Sequence, residues 1–419
     1  MGVRDVLSSG LPEDPGDDPG RGAGGHPPAY RPRWLTGLVV LVLAVGLGTL
    51  AARQGTGRPR AAEPTPTRTT RVIPAPPATA APDRAAEVPL FPDAVFQLQG
   101  VEGPGPAGTR LVVGGRAPGI LDAATGRLTR LPVPGLRADE TAWVRRGRGY
   151  TVVLLVGPRS SRAEAVLVPD GGGRVPLGPV SDALPMRDGT VLTLVCPEDN
   201  KPPCSMAGRT RSGGTVWTRR GGEPLGLLRD TPAGLVAVRY AGESWTLLVA
   251  DPRTGRTLRD LGRIGSVLAV SDGRVAWTAA DCTTSCPVGV TELADGRTRR
   301  MPASAGVPGR GAFSPDSERL AVGFMGLHSQ DPNRTRQRDG YAAVLDLRTP
   351  GWVRAPGLAT GPKSAPVPVW AGDDQVLLGV SDGDNDGRVA LWRLGTERLT
   401  VLPVRLPGLN ASPDEFGAA

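Results

Sequence analysis

The sequence predicts an all-β fold, a seven-bladed β-propeller with four-stranded blades, preceded by one transmembrane helix. Three observations predict it: one unit repeated seven times between Val88 and Pro403, turn residues at fixed places inside each unit, and an uncharged apolar run near the start of the chain. Each unit reads as an apolar strand, a tight turn on Asp or Gly, a second apolar strand, a third ending near an acidic residue, and a fourth opening after Gly and Arg.

The turn between the third and fourth strands sets the register. It reads Asp122-Ala123-Ala124-Thr125-Gly126-Arg127 in the first unit and Asp251-Pro252-Arg253-Thr254-Gly255-Arg256 in the fourth. With Asp122, Asp170, Ser212, Asp251, Asp295, Asp346 and Leu394 as anchors, the steps are 48, 42, 39, 44, 51 and 48 residues. A period of about 40 to 50 residues holding four short strands is that of a propeller blade. A lone four-stranded sheet leaves both faces uncovered, so blades stack face to face until the ring closes. The apolar runs alternate or are short and continuous, without the 3.6-residue period of a helical solenoid. Trp217, Trp245, Trp277, Trp370 and Trp392 all fall in predicted strands, where their burial between blades is structural.

A second marker lies between the first and second strands: Arg187-Asp188-Gly189, Ser271-Asp272-Gly273, and Phe313-Ser314-Pro315-Asp316-Ser317-Glu318-Arg319-Leu320-Ala321. On these residues the chain resembles the WD-repeat-like, TolB-like β-propeller repeat proteins of the membrane-anchored bacterial type. Their units carry a Ser-Pro-Asp-Gly turn followed by Leu-Ala. Ser317 stands where that pattern has Gly, and units one and two fit it poorly. The resemblance implies an architecture and an ancestry rather than a ligand, because propellers host many unrelated functions.

The 419-residue chain carries a net charge of +8. Nearly all of the positive charge is Arg, with Lys only at 201 and 363, and the arginines are scattered singly. No basic stripe interleaved with aromatics appears, so nucleic acid is not an expected partner. The Arg bias reads as the coding preference of a GC-rich genome.

From Trp34 to Ala52 the chain runs without a charge, and nineteen residues span about 28 Å as a helix, enough for a bilayer core. A cleaved signal peptide usually has a shorter apolar region behind a short basic start. This run follows 33 polar residues, which favours a retained signal anchor. The expected organisation is a disordered cytoplasmic tail at 1–33, the anchor at 34–52, a Pro/Ala/Thr/Arg-rich tether at 53–87, the propeller at 88–408 and a disordered tail at 409–419. Arg53, Arg58 and Arg60 follow the span and oppose the simple positive-inside count. A large domain can cross regardless of nearby charge and the cysteines read as oxidised, so the propeller is placed outside the cell membrane.

Cys196 and Cys204, and Cys282 and Cys286, form two close pairs, both in the loop between the second and third strands of their units. Three connectivities exist on paper, and local disulfides are preferred over thiolate metal ligation because neither loop has a His. The same loop of unit seven holds Asp382, Asp384 and Asp386, whose spacing matches the first half of a calcium loop. Arg393 replaces the closing Glu, so a solvated polar turn is the first reading and calcium, the one cofactor considered, the second. In unit six this loop is a long polar insertion containing His328, Arg334, Arg336 and Arg338.

In a four-stranded blade the loops between strands two and three share a face with the connections between blades. Every unusual loop falls there, so that face is expected to meet a protein partner or envelope ligand. Its one histidine, His328, cannot build a histidine-based metal centre or a Ser-His-Asp triad. The expected function is a membrane-anchored, monomeric, non-catalytic binding, sensing or scaffold module. The alternative is a carboxylate- or calcium-dependent hydrolase or lyase acting on envelope polymers, since carboxylates are plentiful.

Overall fold

The second strands of the blades are mainly apolar on both sides because the middle of each sheet is covered on both faces. In the second strand of blade two, Tyr150–Val156, the side chains of Tyr150, Val152 and Leu154 pack toward blade three, while Val153 and Leu155 pack toward blade one. That alternation is the period of two of an extended chain. Among the described residues there are seven apolar clusters, one for each contact between neighbouring blades, including the contact between blades seven and one. Trp217 packs between blades three and four, Trp245 and Trp277 between four and five, and Trp370 and Trp392 between six and seven.

The computed structural model describes residues 97–134, 136–137, 140–157, 162–197, 202–241, 244–280, 282, 285–325, 340–360, 365–381, 386–407 and 416–418. Blade two is typical. Its strands Thr141–Gly147, Tyr150–Val156, Ala163–Pro169 and Val175–Val180 pair antiparallel in chain order from the centre outward. The innermost strands of the next five blades are Asp182–Pro185, Leu225–Thr231, Ser266–Val270, Val307–Phe313 and Val367–Trp370. Five anchors of the repeat fall between third and fourth strands, and Asp122 and Asp346 close the third strand at the same turn, as the sequence predicts.

Turn chemistry explains the anchors. The carboxylate of Asp251 accepts the amides of Arg253 and Thr254 at 2.8 and 2.9 Å, and Asp122 accepts the amide of Thr125 at 2.9 Å. Gly126 and Gly255 then close the turn at φ of 67° and 64°, the left-handed region that glycine enters without a Cβ clash. In blade six the equivalent demand between strands one and two falls on Ser317, with φ of 58°. Among the described residues it is the one non-glycine at positive φ.

Ring closure departs from the expectation that every unit supplies four strands of its own. Phe416–Ala418 pairs antiparallel with Leu111–Val113 and forms the innermost strand of blade one. Residues 409–419 are therefore not wholly a disordered tail, and the propeller runs past 408. Before blade one, Gln97–Leu98 pairs with Leu358–Ala359 in the connection from blade six to blade seven, and Gly100–Glu102 runs parallel to Leu399–Val401 on the outer edge of blade seven. Phe416–Ala418 thus closes the ring at the hub, and Gly100–Glu102 binds the outer edge of blade seven.

The apolar run at 34–52, the tail before it and the tether after it lie outside the described residues. Among the described residues no helix is long and apolar enough to cross a membrane.

Candidate functional site

Antiparallel order places the turns between strands one and two and between strands three and four on one face, here the turn face. The loops between strands two and three, with the inter-blade connections, form the loop face. The innermost strands surround an open central channel of about 1600 Å³ whose two mouths differ in chemistry.

At the turn-face mouth the lining is charged, with Arg146, Arg148, Arg187, Asp188, Asp230 and Asp272 among it. Much of this charge is tied into the ring. Arg229 of blade four reaches Asp272 of blade five at 3.1 Å, and the amide of Arg187 in blade three donates to Asp230 of blade four at 2.8 Å. Arg211 of blade three donates to the carbonyl of Arg148 in blade two at 2.8 Å. Arg274 of blade five reaches the Ser317 carbonyl of blade six, and Arg319 of blade six donates to the Asp373 carbonyl of blade seven at 2.8 Å. Arg211, Arg229, Arg274 and Arg319, scattered in sequence, therefore each link a blade to its neighbour on the turn face.

Between the mouths, Asp182 fastens three blades together. Its Oδ1 accepts Nη1 of Arg145 in blade two at 2.7 Å, and its Oδ2 accepts the Leu227 amide of blade four at 2.9 Å. Arg145 also donates to the Ala183 carbonyl at 2.8 Å. Asp182 is only 3% exposed.

Burial pushes the Asp230 carboxyl above its ordinary pKa, against the hydrogen bond from the Arg187 amide, and the charges of Asp188 and Asp272 push the same way. Asp188 accepts the hydroxyl and amide of Thr190 at 2.6 and 2.9 Å.

Among the described residues the loop-face mouth is largely apolar. Tyr240, Trp245, Ala279, Pro308, Met325 and Pro366 line it together with both cysteines of the Cys282–Cys286 disulfide. Tyr240 and Trp245 meet edge to face with ring centroids 5.9 Å apart, and both are partly exposed. Such rings offer apolar area with little rotamer freedom to lose, and one polar edge each.

Both predicted disulfides are present, Cys196 with Cys204 and Cys282 with Cys286. His328, Arg334, Arg336 and Arg338 lie outside the described residues, between Met325 and Gly340. Asp382 and Asp384 also lie outside them, and Asp386 opens the third strand of blade seven, Asp386–Arg393. Among the described residues no group of three or more His, Cys, Asp or Glu side chains is placed to hold a metal. Sequence reasoning reads Trp245 as a packing residue only. Its second role, as a wall of the mouth, depends on the position of blade four in the ring, for which the local sequence has no signal.

No protein-family model matches the chain, and no curated protein does. Solved structures do. An oligogalacturonate lyase in complex with manganese is similar over 73% of this chain and 91% of its own, at 12% identity and a TM-score of 0.50. A prolyl endopeptidase matches over 74% of this chain and half of its own, at 11% identity and a TM-score of 0.50. TolB from Acinetobacter baumannii is similar over 70% of this chain and 79% of its own, at 12% identity and a TM-score of 0.38. At these identities the likeness is one of fold alone: a β-propeller.

Proposed function

We propose that this chain is a membrane-anchored, extracytoplasmic binding module, non-catalytic, that takes a protein or envelope ligand on its loop face. The observation that carries this reading is the contrast between the mouths. The turn face is built of short turns cross-linked from blade to blade. The loop face instead opens an apolar, aromatic-walled recess braced by a disulfide. An apolar recess rimmed by variable loops on a rigid scaffold suits recognition. The uncharged run at 34–52 supplies the anchor, and the two disulfides suit an oxidising compartment.

No observation favours a hydrolase or lyase. The carboxylates at the turn-face mouth accept hydrogen bonds from turn amides and hydroxyls or pair with Arg229. The test is site-specific photo-crosslinking of the full chain in intact cells. A photoreactive residue at Trp245 should capture one partner in the membrane fraction, and one at Arg253 on the turn face should capture none. Capture from Arg253 alone would overturn the reading.

A further inference from the structure

The two disulfides occupy unlike places. Cys196–Cys204 lies inside the core between blades three and four, each cysteine 1% exposed and packed with Leu194, Met206, Leu225 and Leu235. The carbonyl of Cys196 accepts Nε and Nη2 of Arg162 at 3.1 and 2.8 Å, and its amide donates to Ser181 Oγ at 2.9 Å. Cys282–Cys286 spans the corresponding loop of blade five, but both of its cysteines line the channel mouth. Cys286 is 3% exposed, whereas Cys282 is partly open to solvent. A reductant can approach Cys282 with the ring intact. Approach to Cys196 or Cys204 requires blades three and four to part, which is a sub-global opening.

We propose that Cys282–Cys286 is a thiol–disulfide exchange site at the loop-face mouth, addressed by a dithiol reductant of the thioredoxin class, while Cys196–Cys204 is a closed structural link. A thiolate of the reductant attacks Sγ of Cys282, the disulfide bond breaks, and Cys286 leaves as a thiolate that takes up a proton. The second thiol of the reductant then attacks the mixed disulfide, releasing Cys282 as a thiol. The reductant departs as a disulfide, and two electrons and two protons have passed to the protein. A dithiol is needed because Cys286 stays only four residues away. From there it re-attacks the mixed disulfide and expels a single thiol faster than an intermolecular step completes the reaction. Reduction removes the covalent brace from the rim that also carries Tyr240 and Trp245. That consequence for binding rests on the loop-face reading above; the exchange chemistry does not.

The experiment uses the native full chain, incubated with reduced thioredoxin, quenched with iodoacetamide and mapped by peptide mass spectrometry. Cys282 and Cys286 should be alkylated at least about tenfold faster than Cys196 and Cys204, with the gap closing in concentrated guanidinium. Equal native rates, or slower labelling at Cys282 and Cys286, would overturn the proposal. A second arm compares crosslinking from position 245 in the wild type and in Cys282→Ser/Cys286→Ser, where the yield should change. Unchanged yield removes the regulatory part and leaves the loop-face reading standing. Absence of any crosslink in both proteins, with selective alkylation intact, refutes that reading and leaves the exchange site.

Discussion

The turn face and the loop face are the two ends of the same strands, yet they are built to different rules. On the turn face, Asp122, Asp251 and Asp346 each fold a turn through their own carboxylates, and Arg229, Arg274 and Arg319 reach into the following blade. On the loop face the repeat breaks down into disulfide loops and an apolar recess. The difference teaches that a repeat ring can hold its blade spacing from the channel wall and one face, leaving the other to vary without loss of the scaffold.

The strongest way to break this division is through the channel wall. Asp182→Ala removes the acceptor shared by blades two, three and four and takes the 2.7 Å carboxylate contact from the guanidinium of Arg145, only 16% exposed. Loss of one partner of a buried pair should lower stability by about 3–5 kcal/mol. Asp272→Ala, which breaks an exposed pair on the turn face, should lose no more than about 1 kcal/mol. Denaturant midpoints compare the two, and equal losses would sink the idea that the wall holds the ring.

The next effect is a gain. Ser317 occupies the position that most turns of this kind give to glycine, and its φ of 58° crowds Cβ against the backbone. Its amide donates to the Ser314 carbonyl at 2.8 Å and its carbonyl accepts Arg274, both backbone contacts that glycine keeps. Ser317→Gly should therefore raise stability by about 1 kcal/mol, less whatever the unfolded chain gains in freedom. A lowered thermal midpoint would mean that the hydroxyl has a stabilising role exceeding the strain.

Ser317 also marks how far the sequence could be read. Its departure from the repeat was visible because turn chemistry is local: Asp accepts amides two and three residues on, and Gly supplies positive φ. For the same reason the seven anchors, the loop positions and the cysteine pairs all fell where the chain predicted them. The hub strand was not visible. Phe416–Ala418 is three residues long and pairs with Leu111–Val113 near the opposite end of the chain, so no local pattern identifies its partner. The arginine links were hidden in a similar way, since Arg229 and Asp272 are 43 residues apart, one blade away. Only the ring brings them together. Asp182 looks like any strand-opening acid until blades two and four close on it.

The smallest expected effect concerns pH at the turn-face mouth, where one carboxylate behaves unlike those in the turns. Hydrogen bonds, led by the Thr254 amide, hold Asp251 below its ordinary pKa, and the Thr349 amide does the same for Asp346. Those groups add stability above the unfolded pKa and lose it as pH falls through their folded values. Asp230 is raised instead, by burial first, so its sign is reversed. Its contribution is least favourable once pH rises above its folded pKa, because the fold then holds a charge that the unfolded chain solvates better. Asp230→Asn keeps an oxygen to accept the Arg187 amide and removes that charge. The variant should be slightly more stable than wild type near neutral pH, by less than Ser317→Gly. The gap should close as pH falls through the range where Asp230 itself takes up a proton. Thermal midpoints of both proteins along a pH series measure it. A variant less stable than wild type at neutral pH would mean that the negative charge, drawn to Arg187 and the neighbouring arginines, is one more link holding the turn face together.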